Sequence, residues 1–277
     1  MKKKILLTVL GLLLISAYLF AQSYVTRSVI TDPYGNEDVT YVTHKDGKKN
    51  GFTQTIHGSI YPYLTLDYYE KDSLLLSMLF DNATLQILSI FKDIEVNNSI
   101  YPRPDPEAGE VDKYYNHKCN VIFFHSWTGT YESSGIYLFD DYDFGNGTEY
   151  HDRDYDGWDY ELESGSAAEH LKEETTSYTH YINILDGKLH GSQVYFNKST
   201  GAAWKILFYE HGVLKAEFLF NEDASIRFIA KDIEDNDLSD DFIKKCTLIS
   251  FQPDGERIGE SILLFNDFPD DSRTRIY

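Results

Sequence analysis

The chain is short of the features that usually disclose a chemistry. It holds two cysteines in 277 residues, Cys119 and Cys246, which excludes the densely crosslinked scaffold of small exported domains. Basic side chains are outnumbered, 25 Lys and Arg against 45 Asp and Glu, for a formal charge of −20. Binding nucleic acid or an anionic membrane surface requires clustered Lys and Arg, so both partner classes are excluded. Cations, metal ions and basic proteins are the partners such a field favours, although the same charge also serves simply to keep a protein soluble.

Catalytic signatures are lacking as well. The nine histidines stand singly at 44, 57, 117, 125, 151, 170, 180, 190 and 211, without a His-Glu-x-x-His zinc helix. There is no Gly-x-Ser-x-Gly elbow, phosphate-binding Walker loop or dinucleotide fingerprint. Carboxylates are so numerous that sequence cannot single out a glycosidase pair, because the diagnostic quantity is their separation in space. His190 and His211 fall at expected turns, where a solvated polar residue is the ordinary occupant. The reading is therefore of a non-enzymatic protein.

Long apolar runs are missing, with one exception. Lys2, Lys3 and Lys4 precede an almost wholly apolar stretch, Ile5–Phe20, and Ala21 offers a small residue for cleavage. This is a signal peptide over residues 1–21, and it predicts a secreted protein, periplasmic or extracellular. An uncleaved anchor is the alternative, but about 16 apolar residues fall short of the roughly 20 that span a bilayer. Loss of the three leader lysines would take the charge from −20 to −23.

What the chain has in abundance is β-forming sequence. Short stretches of Tyr, Phe, Ile, Val and Thr alternate with Gly, Asn and Asp clusters, the pattern of antiparallel hairpins, and helical periodicity is scarce. The pattern is also duplicated. Asp46-Gly47-Lys48-Lys49-Asn50-Gly51 returns as Asp186-Gly187-Lys188-Leu189-His190-Gly191, and in the same register Tyr69-Glu70 maps onto Tyr209-Glu210, Leu74 onto Leu214 and Leu79-Phe80 onto Leu219-Phe220. After a one-residue slip Lys92-Asp93-Ile94-Glu95 matches Lys231-Asp232-Ile233-Glu234, then Lys118-Cys119 matches Lys245-Cys246 and Leu138-Phe139 matches Leu264-Phe265. The fold class expected is mostly β, as two tandem homologous antiparallel meanders of about six strands each. The modules should occupy residues 22–143 and 180–277, with an acidic linker at 144–179. Lys-Asp-Ile-Glu should begin or end a strand in each copy. The two cysteines, at matching positions before apolar runs, are either small buried hydrophobes or a pair bridging the copies.

In each copy the hexapeptide forms a turn whose glycines can take positive φ, followed by strands at Ser192–Asn197, Trp204–Glu210 and Val213–Phe220 in the second. The order Asp-Gly-Lys-x-x-Gly, aromatic strand, Tyr-x-x-Gly, Leu-Lys resembles the MORN-type repeat in its bacterial antitoxin-like variant. Residues 186–220 carry it best, through Asp186, Gly187, Lys188, Gly191, Tyr195, Tyr209, Gly212, Leu214 and Lys215; residues 46–80 match less fully. The family's usual unit is shorter and stacks many times, whereas here it is embedded in a longer module. The resemblance implies a protein-interaction scaffold of antitoxin or immunity-like type. Since aromatic side chains also stack on sugar rings, a secreted carbohydrate-binding or carbohydrate-active protein is the alternative.

The linker carries one sharp motif. From Asp152 to Glu163 the chain satisfies Asp-x-Asp-x-Asp-Gly-x5-Glu. Alternate carboxylates on Asp152, Asp154 and Asp156 can converge on a hard cation, Gly157 permits the bend, the Trp158 carbonyl supplies an oxygen and Glu163 can close bidentately. The segment resembles an EF-hand loop and predicts one Ca²⁺. Gly145, Gly147 and Gly165 disfavour the flanking helices of that family, and Asp159 takes a normally apolar position, so a solvated acidic linker is the competing reading. A short helix is expected just beyond, from the capping box of Ser166 and Glu169.

Overall fold

A computed structural model of the protein describes residues 23–58, 64–81, 83–96, 117–139, 148–150, 167–235, 244–265 and 275–276. All regular structure among them is antiparallel strand, in two sheets that each follow chain order. The first sheet has nine strands: β1 (Tyr24–Thr31), β2 (Glu37–Lys45), β3 (Lys48–Ile56), β4 (Leu64–Glu70), β5 (Ser73–Phe80), β6 (Ile87–Val96), β7 (His117–Phe124), β8 (Tyr131–Phe139) and β9 (Thr148–Tyr150). The second has ten: β10 (Ala168–Glu174), β11 (Tyr178–Leu185), β12 (Lys188–Leu189), β13 (Gly191–Asn197), β14 (Ala203–Glu210), β15 (Val213–Phe220), β16 (Ile226–Asp235), β17 (Lys244–Phe251), β18 (Arg257–Phe265) and β19 (Arg275–Ile276). Each pairs with its neighbours in the meander, and the short β12 pairs only with β11.

The duplication extends to irregularities. Register shifts fall between Tyr68 and Tyr69 and between Phe208 and Tyr209, at Leu79/Phe80 and Leu219/Phe220, and at Phe123/Phe124 and Ser250/Phe251. Lys-Asp-Ile-Glu lies at the C-terminal end of its strand in both copies, followed only by Val96 in β6 and Asp235 in β16, and both copies shift register across it, with Asp93 at φ 56° and Asp232 at φ 55°. Asp tolerates the left-handed conformation that a bulge needs, and the extra residue leaves the strand otherwise continuous. The modules are larger than six strands because further outer strands join each meander, full-length β1 and β10 on one side and the short β9 and β19 on the other. Thus β9 and β10 fall within 144–179, the span assigned to the linker, and the second module begins by Ala168. The helix expected from the capping box is not formed, since Glu169 pairs with Ile184 in β10. A capping box is a local preference, and a ladder of seven residue pairs with β11 overrides it.

Among the described residues four hydrophobic clusters follow from the alternation of side chains along the strands, the smallest being Tyr41 with Ala202 and Ala224 across the two sheets. The central one joins the sheets: Phe52, Leu64, Leu66, Met78, Phe80, Leu85 and Ile87 of the first pack against Val194, Ala203, Ile206, Phe220, Ile226 and Phe251 of the second. Phe52 meets Phe218, Phe220 and Phe251 edge-on, with centroids 5.9, 6.3 and 6.2 Å away. Each sheet also has a core of its own. Leu74, Phe91, Ile94, Cys119, Val121 and Tyr137 cluster in the first, and Ala230, Ile233, Cys246, Leu248, Leu263 and Phe265 in the second. Cys119 and Cys246 are thus equivalent, buried and free, each in a separate cluster, so they act as small hydrophobes and do not bridge the copies.

Candidate functional site

The residues singled out from sequence separate into two groups. Asp152, Asp154, Asp156, Trp158 and Glu163 lie outside the described residues, as does the leader 1–21. Among the described residues no group of three or more His, Cys, Asp and Glu could hold a metal ion. The structure instead brings turn residues of one module against turn residues of the other, at two places related by the duplication.

At the first place, a Cβ added to Gly51 would stand 2.6 Å from the Gly255 Cα, and one added to Gly255 would stand 2.5 Å from the Asn50 carbonyl oxygen. Both glycines have positive φ, 82° and 77°, and only the absence of a side chain permits two backbones to touch there. At the second place Gly191, the copy of Gly51, abuts Gln86, which also abuts Gly129 in the turn equivalent to that of Gly255. The modules are therefore related as in a closed dimer: what the third strand of one gives the β17–β18 turn of the other is returned at the equivalent position.

Two buried glutamines lock this arrangement. Gln54 Nε2 donates to the carbonyls of Ala203 and Ala224, at 2.8 and 3.4 Å, and its Oε1 accepts the Ala203 N–H at 3.0 Å. Gln86 Oε1 accepts the Ser192 N–H at 2.8 Å, while Ser192 Oγ donates to the Leu85 carbonyl at 2.6 Å. Both glutamines come from the first module; their counterparts are Val194 and Ser225. The clamp and the core are asymmetric together: Val194 of the core stands where the first module has Gln54, and Ser192 of the clamp stands where the first module has Phe52.

Beside each glycine contact lies a cleft. Cleft 1, about 610 Å³, is lined by Lys45, Asp46, Lys48, Asn50, Tyr68, Glu70, Lys71, Leu75, Gly255, Glu256 and Arg257. Cleft 2, about 410 Å³, is lined by Ile87, Ile90, Phe124, Gly129, Thr130, Tyr131, His190, Gly191, Phe208, Tyr209, Glu210, His211 and Lys215. Eight positions correspond under the duplication, and the surfaces they make differ. Asn50, Lys71, Leu75, Glu256 and Arg257 on one side face the roles of His190, His211, Lys215, Thr130 and Tyr131 on the other, while Glu70 and Glu210 agree.

Cleft 1 is an ionic surface. Lys45 reaches from β2 to Asp254 at 3.1 Å and to Glu256, and these partners, Glu256 foremost, raise its pKa. Arg257 pairs with Glu260 at 2.6 Å, and Asn50 Nδ2 donates to the Asp254 carbonyl at 3.1 Å. Cleft 2 has an apolar floor and a polar end. Tyr131, which lines it, is 61% exposed, and Trp127, in the β7–β8 turn but not part of the lining, is 54% exposed with its ring edge-on to His170 at 4.4 Å. Lys215 and Glu210 pair at 3.2 Å.

His190 departs from the expectation of a solvated turn residue, being only 5% exposed. Its Nδ1 accepts the His211 N–H at 3.2 Å, and the two rings lie 4.8 Å apart. Burial, and next the charge of His211, push the His190 pKa down against the opposing pull of Glu210 and Asp186. Its burial arises because the residue before the close-packed glycine is carried under the β14–β15 turn. No sequence motif marks these clefts. The usable signal was the internal comparison, in which fixed turn residues flank positions that differ between copies.

Compared with protein families, curated proteins and solved structures, the chain matches none.

Proposed function

We propose that the protein is exported and acts without catalysis, as an interaction scaffold that grips a protein partner at the two clefts of its module junction. The observation that carries this reading is the contrast between frame and lining. The turn glycines, the Tyr-Glu strand ends and the bulges recur in both modules, whereas the cleft-lining positions between them have diverged into a charged surface and an aromatic one. A duplicated frame with diversified contact residues is what recognition uses, since rigid elements supply position and side chains supply specificity. Net negative charge steers a basic partner over longer range, and the MORN-type resemblance favours an immunity or antitoxin-like role.

A second reading, carbohydrate binding, draws on Trp127 and Tyr131, both exposed around the β7–β8 turn that helps line cleft 2. Photo-crosslinking amino acids placed at Tyr131 and Arg257 in the mature protein separate the two. A discrete crosslinked protein, lost on crowding the clefts by Leu75→Trp and Thr130→Trp, supports the scaffold. Glycan-array binding lost with Tyr131→Ala supports the alternative, and neither result sinks both. The acidic loop, in this reading, binds one Ca²⁺ through Asp152, Asp154, Asp156, the Trp158 carbonyl and Glu163.

A further inference from the structure

The β14–β15 turn that walls cleft 2 is held by two hydrogen bonds from its own backbone. His211 N–H donates to His190 Nδ1 at 3.2 Å and Gly212 N–H donates to the Leu189 carbonyl at 2.7 Å. Both turn residues have positive φ, 48° and 88°, so the turn depends on such anchoring. The first module builds the same device. Lys71 N–H donates to Asn50 Oδ1 at 3.4 Å and Asp72 N–H to the Lys49 carbonyl at 2.9 Å, with φ of 52° and 71°. There a third bond, from Lys49 N–H to Asp72 Oδ1 at 2.7 Å, adds to the pair, and Gly212 has no side chain with which to copy it. The two turns therefore differ chemically in one decisive respect: the side-chain acceptor is an amide in cleft 1 and an imidazole in cleft 2.

An amide oxygen accepts at any pH, but an imidazole accepts only while neutral, because His⁺ carries a proton on both nitrogens. We infer that His190 is a proton-operated latch on cleft 2, closed while its ring is neutral and released when Nδ1 takes a proton from solvent. Protonation would set Nδ1–H against the His211 N–H, abolish the bond and place a cation beside the His211 ring. Gly212 would then hold the turn alone, and the wall formed by Glu210, His211 and Lys215 would loosen, while cleft 1 stayed as it was. The charged and titratable groups around the ring are Asp186 on the β11–β12 turn, Glu210 ending β14, His211 in the turn and Lys215 on β15, with Tyr131 facing from the other module. Asp186 and Glu210 favour the proton while burial and His211 oppose it, and the balance keeps the latch shut near neutrality. The functional meaning of release rests on the reading of cleft 2 as a binding surface; the latch itself does not.

The experiment is hydrogen exchange followed by NMR on the mature protein between pH 8 and pH 5, with ring resonances of His190 read in the same samples. Protection factors at His211 and Gly212 should fall about tenfold or more as the His190 ring titrates, while those at Lys71 and Asp72 hold. His190→Asn, which copies Asn50, should remove the pH dependence and keep the fold. The latch is overturned if protection at His211 stays flat while the ring titrates. It is equally overturned if Lys71 and Asp72 loosen in parallel, if His190→Asn loses protection the same way, or if the ring stays neutral until the whole fold opens. No partner enters the measurement, so a working latch without any crosslinked protein would count against the binding reading alone.

Discussion

Gly51 and Gly255 meet backbone to backbone across the module junction, with room for no side chain on either. A methyl group on Gly51 would sit 2.6 Å from the Gly255 Cα, and the φ of 82° is itself strained for an L residue. Gly47, four residues earlier, has nearly the same φ, 76°, but nothing within 4 Å. The pair separates conformational strain from contact. Gly47→Ala should cost about 1 kcal/mol, and Gly51→Ala about 3 kcal/mol or more, because the clash is with backbone that cannot swing aside. Chemical denaturation of the two variants checks this, and equal costs would mean that the junction yields.

Much of this architecture was legible in the chain. The return of the hexapeptide, with Lys49 and Asn50 replaced by Leu189 and His190, and the return of Tyr-Glu announce two homologous meanders, and strands such as Val213–Phe220 are bounded by the turn residues that flank them. Outer strands were not legible. β10, Ala168–Glu174, is mostly polar and exposed, so although it forms a local hairpin with β11 no apolar alternation marks it as a strand. The clefts were hidden for a different reason. Asn50 and His190 look like ordinary turn residues until the close approach of Gly51 and Gly191 to the other module draws them under a hairpin.

Asp67 gives the fold a pH dependence of definite sign. It sits on β4 opposite Ser77, partly buried, and burial raises its pKa to about 6 against smaller opposing effects of Ser77 and Lys49. A carboxyl with a folded pKa above its unfolded value favours the folded state while protonated. That contribution is complete below about pH 4 and is lost as pH rises through about 6. Asp67→Asn should therefore leave stability at pH 4 nearly unchanged and raise it at pH 7.5 by about 1–2 kcal/mol. Urea titrations of both proteins at the two pH values test it; a benefit larger at pH 4 would refute the assignment.

The thiols should be inert. Burial pushes Cys119 and Cys246 up to about 12, with lesser contributions from Asp93 on the first and from Glu217 and Asp232 on the second. Thiolate, the reactive form, is then scarce at neutral pH. Native protein should resist iodoacetamide at pH 8 and label at both positions only after denaturation, and its mass should show no disulfide. Rapid labelling of either cysteine in the folded protein, or a crosslink between them, would show that the two separate cores open.

The last prediction concerns the acidic loop between the modules. Asp152, Asp154, Asp156 and Glu163 bring four carboxylates into one twelve-residue segment, and the Trp158 carbonyl completes five oxygen-bearing positions at the spacing that Ca²⁺ uses. Like charges at that density repel, so the ion-free loop opposes compaction while a bound divalent cation reverses the sign. Export, as proposed above, would expose the protein to calcium at high concentration, where an affinity of about 10⁻⁴ to 10⁻³ M would suffice for occupancy. Binding to the folded chain alone would then raise the melting temperature by a few degrees in 10 mM Ca²⁺ over the same protein in chelator. Asp154→Ala with Asp156→Ala should abolish that rise and leave the chelated melting temperature unchanged or slightly higher, since two repelling charges are gone. Titration calorimetry that detects no heat at millimolar Ca²⁺, or a calcium-dependent rise that survives the double substitution, would reduce the motif to a solvated acidic connector.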